Sequence, residues 1–294
     1  MTPSPDISVI IPTYNRPCSL AALLERLLAD SFQSMDIVVV SQDTHAPAGN
    51  DPRVRVVQIN RPSLTRARNA GIAAATGRLL LFLDDDCLPS PDLVRRHCDL
   101  HAQFREFAAV AGGVRDRNHQ GTREQLVAFD EGTMSYVPDY ALAREEETDF
   151  FPGGHVSFKR EIFNRLRFDP WFIGNAHFEE VDLALRLRRR GHRFFFSHTA
   201  WIDHGLEETG GCRAVHSAPA FMLHRFYNRA FCYAKNVSLA NTARFLMQQR
   251  HDLEYLSRKN GSHDGRLVIA GLAGVVAGLN AGSVRKIFGK RIYR

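Results

Sequence analysis

The run Leu79-Leu80-Leu81-Phe82-Leu83, followed at once by Asp84-Asp85-Asp86, constrains this chain more than any other stretch. Five apolar residues are too few for an ordinary helix and suit a parallel strand buried on both faces. Three carboxylates where such a strand leaves the core repel one another unless a cation lies among them. Carboxylate oxygens suit a hard ion, Mg²⁺ or Mn²⁺, better than zinc. An ion held in this way commonly neutralises a diphosphate. An acidic turn that simply ends a strand in water is the other reading of the same residues.

The flanking sequence alternates strands and helices. Ile7 to Pro12 reads as a first strand ending in Thr13-Tyr14-Asn15-Arg16. Leu20, Leu23, Leu24, Leu27 and Leu28 then keep the spacing of a one-faced helix. Ile37 to Val40 and Arg53 to Gln58 read as strands, Ser63 to Thr76 as a helix, and Ser90-Pro91-Asp92 as a helix start. Such alternation implies right-handed parallel crossovers, with ligands bound at the carboxyl edge of the sheet. That edge gathers Tyr14 and Asn15, Gln42 and Asp43, and Asp84 to Asp86. No G-x-G-x-x-G follows a strand and no G-x-x-x-x-G-K-[ST] loop occurs, which weakens dinucleotide and P-loop readings.

Beyond the strand Ala109 to Val114, residues 115–149 read as a polar surface excursion, a lid or partner-selecting loop. His155 to Phe158 is a short strand. Glu179-Glu180-Val181-Asp182 opens a helix whose far end carries Arg186, Arg188, Arg189 and Arg190, in agreement with the helix dipole. Arg193 to Ser197 and Thr199 to Ile202 suggest two further strands ahead of Asp203-His204. From about Ser217 the pattern is helical and mixes aromatics with bases. Helices packed on the catalytic body, an interfacial membrane helix and a nucleic-acid surface all fit that mixture, and the first is favoured.

The 294 residues, 44% hydrophobic and 24% charged, allow a large soluble core. The expected division is a body over 1–216 and a helical extension with a basic tail over 217–294. No signal-peptide pattern opens the chain, and Leu267 to Leu279 reads as too short to cross a bilayer. The five cysteines, with no C-x-x-C pair, fit a reduced cytoplasmic setting. The net charge is +6, and Arg285, Lys286, Lys290, Arg291 and Arg294 supply most of it. A basic tail on a near-neutral body implies a local anionic partner, such as a membrane surface met by residues 265–294, and no nucleic acid is expected. The corresponding expectation is a cytoplasmic enzyme that docks peripherally on the inner membrane face.

Several elements, in order, resemble the inverting family-two glycosyltransferases of the GT-A fold over roughly residues 6 to 236. They are Val9 to Arg16, Ala67-Arg68-Asn69-Ala70-Gly71, Phe82 to Asp86, Gly153-Gly154 with Ser157 to Arg160, Phe168-Asp169, Glu179 to Leu183 with Arg186-Leu187, and His204. The resemblance implies an α/β, mostly parallel central sheet flanked by helices, with a donor half over about 1–114 and an acceptor half over about 115–216. It implies transfer of a sugar from a nucleotide-diphosphate donor to a hydroxyl of a glycan or lipid-linked acceptor, with a divalent cation as cofactor. Asp86, Asp84 and His204 become metal ligands. Pro12, Tyr14, Asn15, Gln42, Asp43, Arg68, Asp84 and Asp85 become donor contacts, and Gly153, Gly154, Trp171 and Asp182 acceptor contacts. Glu180 or Glu179 becomes the general base.

Two departures from the family pattern stand out. Glu179-Glu180 occupies the place of an E-D pair, and Ser41-Gln42 the place of two acids. A non-catalytic nucleotide-sugar or partner-binding scaffold therefore stays open, as does a sugar-phosphate nucleotidyltransferase, although the latter usually needs a Gly-rich loop after the first strand.

Overall fold

A computed structural model describes residues 4–43, 51–116, 124–205, 211, 217–259 and 265–288. The first apolar run becomes β1 (Ile7–Thr13), buried at every position. It is followed by α1 (Pro17–Leu28), β2 (Met35–Ser41), β3 (Val54–Gln58), α2 (Leu64–Ala74) and β4 (Leu79–Leu83). Next come β5 (Cys87–Pro89), α3 (Leu93–Gln103), β6 (Ala109–Asp116), the hairpin β7 (Val127–Asp130) and β8 (Ser135–Pro138), and β9 (Glu145–Thr148). β10 (His155–Lys159), α4 (Glu179–Arg188) and β11 (Phe194–His204) complete the sheet region. Three helices follow, α5 (Ala218–Asn236), α6 (Thr242–Lys259) and α7 (Gly265–Phe288).

The strand order is β3-β2-β1-β4-β10-β6-β11-β5, with β9 added to β11. β1 to β4 pair in parallel, as do β6 and β11, while β10 runs antiparallel between β4 and β6. Helices cover both faces. Ile7, Val9 and Ile11 meet Leu20, Leu23, Leu27 and Leu93 on one side, whereas Ile10, Val38 and Phe82 meet Ala67 and Ile72 on the other. Each such side chain, fully buried, contributes about 1.5–3 kcal/mol. This is the expected mostly parallel α/β architecture with a C-terminal helical part. Its functional consequence is geometric. β1, β2 and β4 release their carboxyl ends at one edge, and β11 pairs His204 with Cys87, directly beyond the aspartates.

β10 inserts between β4 and β6, so one sheet runs through the whole body. The structure differs from the sequence reading in three places. Ser90-Pro91-Asp92 is a turn and α3 starts only at Leu93, because Ser90 is taken up by the sheet edge: its N–H donates to the Trp201 carbonyl at 2.9 Å. The two expected late strands are one strand, irregular between Ser197 and Trp201. Part of the polar excursion is ordered as β7, β8 and β9; residues 117–123 lie outside the described residues.

The C-terminal helices pack on the body, as favoured. A methyl group at Gly274, Gly278 or Gly282 would collide with the main-chain carbonyls of Leu223, Tyr227 or Phe231, so α7 lies against the backbone of α5. α7 is also longer than the Leu267 to Leu279 reading allowed. Gly265–Ile287, of mean hydropathy 1.9, is long and apolar enough to cross a membrane, and one third of it is buried against the protein.

Under the sheet lies a chain of neutral polar groups. His97 Nδ1 and His101 Nε2 approach Ser157 Oγ at 2.8 and 2.9 Å, and His97 Nε2 lies 3.1 Å from His155 Nε2. Burial lowers all three imidazoles, His101 and His155 to about 4. Because the unfolded chain takes up protons near 6.5 and the native one does not, stability is full above about pH 6.5 and falls as pH drops toward 4. Urea titrations between pH 7 and 4.5 should show that loss, and His101→Gln should make it shallower. Constant stability over this range would contradict the assignment.

Candidate active site

The carboxyl edge of β1, β2 and β4 forms a crevice lined by Pro12, Tyr14, Arg16, Gln42, Asp84, Asp85, Asp86, Asn175 and His204. Hydrogen bonds fix the loops that carry these groups. Gln42 accepts from Ser63 N–H at 2.7 Å and donates to the Thr13 carbonyl at 3.3 Å, so it joins the ends of β1 and β2 to the start of α2. Asp43 accepts from the N–H of Asn15 at 2.9 and 3.0 Å. That contact holds Asn15 at φ +54°, a left-handed conformation that asparagine tolerates better than most residues. Asp85 accepts from Arg16 at 2.9 Å and from Tyr14 N–H at 3.4 Å. Burial pushes the Asp85 carboxyl up to about 6, against the pull of Arg16.

Asp84, Asp86 and His204 present ligand atoms that all lie within 4.8 Å of one another. His204 Nε2 is 3.6 Å from Asp84 Oδ2 and 3.3 Å from Asp86 Oδ1. Asp86 Oδ1 is buried without a hydrogen bond. Two carboxylates and an imidazole, with one buried oxygen lacking a proton donor, fit a divalent cation. The neighbouring carboxylates of Asp84 and Asp86 raise the imidazole to about 10. Arg16 pairs with Asp86 from behind at 2.7 Å. The sequence reading placed Arg16 in the first loop without a role; its signal was a base facing three acids across one sheet edge.

Arg68 is 2% exposed and lies between Asp84, at 3.4 Å, and Glu179, with which it makes a closer ion pair. Gly153 and Gly154 were expected at the acceptor. They make room for this clamp: a Cβ on Gly154 would strike the Asp84 carboxylate, and one on Gly153 would sit 3.0 Å from Glu179 Oε1. Asn69 likewise fixes a turn, exchanging hydrogen bonds of 2.8 and 3.0 Å with the backbone of Phe168.

The two adjacent glutamates differ sharply. Glu179 is buried against Arg68, whereas Glu180 opens into a second cavity of about 440 Å³. Burial raises the Glu180 carboxyl, Arg68 lowers it, and Asp84 is close enough to raise it. The cavity is walled by Tyr136 of β8, His177, and residues from α5 and α6, namely Arg225, Arg229, Asp252 and Tyr255. The turn that delivers Glu180 is strained: Ala176 and Phe178 have φ of +52° and +72°. None of the C-terminal wall was read as a site from sequence, although Arg225 and Arg229 stand one turn apart on α5.

Two expected acceptor contacts, Asp182 and Trp171, line neither cavity. Asp182 is fully buried and accepts from Arg186 at 2.8 Å, Lys235 at 2.9 Å and Asn236 at 2.7 Å. These cations hold its carboxyl down to about 2 despite burial, so it anchors α4 to α5. Trp171, 41% exposed, lines neither cavity; its ring stacks on Phe231 at 6.4 Å, with Arg285 over it at 5.8 Å. Arg285 itself is buried and donates to Asp169 at 2.9 Å, so it is no free charge of a basic tail. Lys290, Arg291 and Arg294 lie outside the described residues.

A mostly parallel α/β sheet with an acidic crevice at its carboxyl edge is the GT-A class of fold. The profile of the family described as Glycosyl transferase family 2 matches residues 8–167, more than half of the chain, and the chain belongs to that family. Succinoglycan biosynthesis protein ExoO of Rhizobium meliloti is 36% identical over 56% of this chain and 51% of its own length. Validoxylamine A glucosyltransferase of Streptomyces hygroscopicus subsp. limoneus is 28% identical over 67% of this chain and 51% of its own. The chain thus spans about half the length of these curated relatives. Among solved structures, the mannosyltransferase PcManGT of Pyrobaculum calidifontis, in complex with GDP-Man and Mn²⁺, superposes with a TM-score of 0.55 at 18% identity. That likeness covers 99% of this chain and 89% of PcManGT. Residues 1–349 of S. aureus TarS, in complex with UDP-GlcNAc, superpose at 0.56 with 13% identity, covering 97% and 92%. At these identities the structures speak for the fold.

Proposed function

We propose that this chain is an inverting, metal-dependent glycosyltransferase that acts on a glycan or lipid-linked acceptor hydroxyl. The observation that carries the reading is the Asp84–Asp86–His204 cluster, set beside a cavity in which Glu180 is the open carboxylate. The three cluster residues would hold the ion, and manganese accepts carboxylate oxygens while tolerating an imidazole better than magnesium does. Bound there, the ion would supply Lewis-acid stabilisation of the charge that gathers on the departing nucleoside diphosphate. Tyr14, Gln42 and Asp85, which line the crevice, would meet the nucleotide, with Asp43 behind them bracing Asn15. Arg68 acts by positioning, since it holds Asp84 at the crevice and Glu179 out of the acceptor cavity.

Glu180 takes the proton of the acceptor hydroxyl as that oxygen bonds to the anomeric carbon, and the bond from this carbon to the diphosphate oxygen breaks. One carboxylate approaching opposite the leaving group gives inversion. Glu180→Gln should leave manganese–nucleotide binding intact and lower kcat about 10²- to 10⁴-fold. Since burial raises the carboxyl, kcat/KM in the parent enzyme should climb with pH along a limb centred above the ordinary value of 4.5. Unimpaired turnover in the glutamine variant would move the base elsewhere.

The same reading puts the enzyme at the cytoplasmic face of a membrane. Ile269, Leu272, Val276, Val284 and Ile287 form an exposed apolar stripe along α7, which would lie in the lipid interface. The full chain should float with phosphatidylglycerol vesicles, and Leu272→Glu/Val276→Glu should stay at the bottom of the gradient. Equal flotation of the two proteins, or none by either, would contradict the docking.

A further inference from the structure

The second cavity contains one guanidinium that the protein's own acids leave uncovered. Arg225 and Arg229 both line it from α5. Arg229 is fully engaged: it pairs with Asp252 and donates to the carbonyls of Met134 at 2.9 Å and Thr133 at 3.1 Å. Asp252 is in turn held by Gln248 at 2.8 Å. Arg225 Nη1 lies 3.1 Å from His177 Nε2, and among the described residues Arg225 forms no ion pair.

Two internal partners for Arg225 present themselves, and neither suffices. Glu180 shares the cavity, but the charges that act on it are those of Arg68 and Asp84. Asp252 offsets Arg225 only in part, because burial and the like charge of Arg229 both outweigh it and lower the guanidinium from its usual value. A half-buried cation under like-charge pressure is unfavourable until an anion arrives. The cavity, at about 440 Å³, falls within the range of small-molecule sites, and Tyr136 and Tyr255 add ring surface to its walls.

We infer that the acceptor sugar taken by this cavity carries an acid group, a carboxylate or a phosphate, which docks on Arg225 beside His177 while its hydroxyl faces Glu180. The inference rests on Glu180 being the base, as proposed above, and adds the acceptor's charge to that reading. A neutral sugar would leave the guanidinium unanswered, and an acid would lose its hold if Arg225 lost its charge.

The test uses the full chain with its donor crevice filled by Mn²⁺ and a nucleoside diphosphate, so that added phosphate cannot enter there. Methyl glucuronide, glucose 1-phosphate and methyl glucoside are titrated by calorimetry. At least one acid should bind roughly tenfold or more tightly than the neutral glycoside, and the stronger of the two identifies carboxylate or phosphate. Arg225→Gln should remove that preference, and Arg225→Lys should keep part of it, with manganese–nucleotide binding as the check on folding. A neutral glycoside that binds as well as both acids, an acid preference that survives in Arg225→Gln, or no binding of any of the three would overturn the inference. Should Glu180→Gln keep turnover while acid binding still depends on Arg225, the base assignment falls and the anion subsite stands.

Discussion

The organising constraint is charge balance at the carboxyl end of β4. Asp84, Asp85, Asp86 and Glu179 bring four carboxylates together, and the paired guanidiniums Arg16 and Arg68 answer two of them. Like charges this close are costly unless compensated, and the remaining imbalance equals the charge of one divalent ion. In the protein alone His204 takes up part of it as an imidazolium. The rest of the architecture serves this cluster. The parallel strands bring it to one edge, β11 carries His204 across to it, and two glycines clear the space it occupies.

A second buried charge network makes the C-terminal helices part of the active-site frame. Asp182 of α4 and Asp169 together receive Arg186, Lys235 and Arg285, which lie on α4, α5 and α7. Breaking a buried, hydrogen-bonded pair on one side typically costs about 3–5 kcal/mol, so these contacts fix the helices firmly. The helix that carries Glu180 is thus held by α5, which also supplies Arg225 and Arg229 to the second cavity.

The donor side was legible in the sequence because its chemistry is local. Leu79 to Asp86 carries both the strand and its acids, the alternation of strands and helices brings Tyr14 and Asp43 to the same edge, and His204 came only from the family resemblance. The acceptor side was not legible in this way. Gly153 and Gly154 looked like ligand-contact glycines, yet their reason is the bulk of Asp84 and Glu179, a packing fact invisible without coordinates. Asp182 sits two residues beyond Glu180, and only the arrival of Lys235 and Asn236 from α5 converts it from a site acid into an anchor. The wall built by Arg225, Arg229, Asp252 and Tyr255 arises because α5 and α6 fold back over the β7–β8 hairpin, a long-range placement that amphipathic spacing cannot convey.

The most direct test is manganese binding at the aspartate cluster. Electron paramagnetic resonance of free Mn²⁺ would be followed as the full chain is titrated with and without UDP, GDP or dTDP, for the parent protein and Asp86→Asn. One ion per chain should bind, more tightly when the right nucleotide is present. Removing the Asp86 charge should weaken that ternary binding by at least about tenfold, since even outer-shell changes at metal sites have effects of that size. Equal manganese–nucleotide affinity in the two proteins would show that this cluster does not hold the donor's ion.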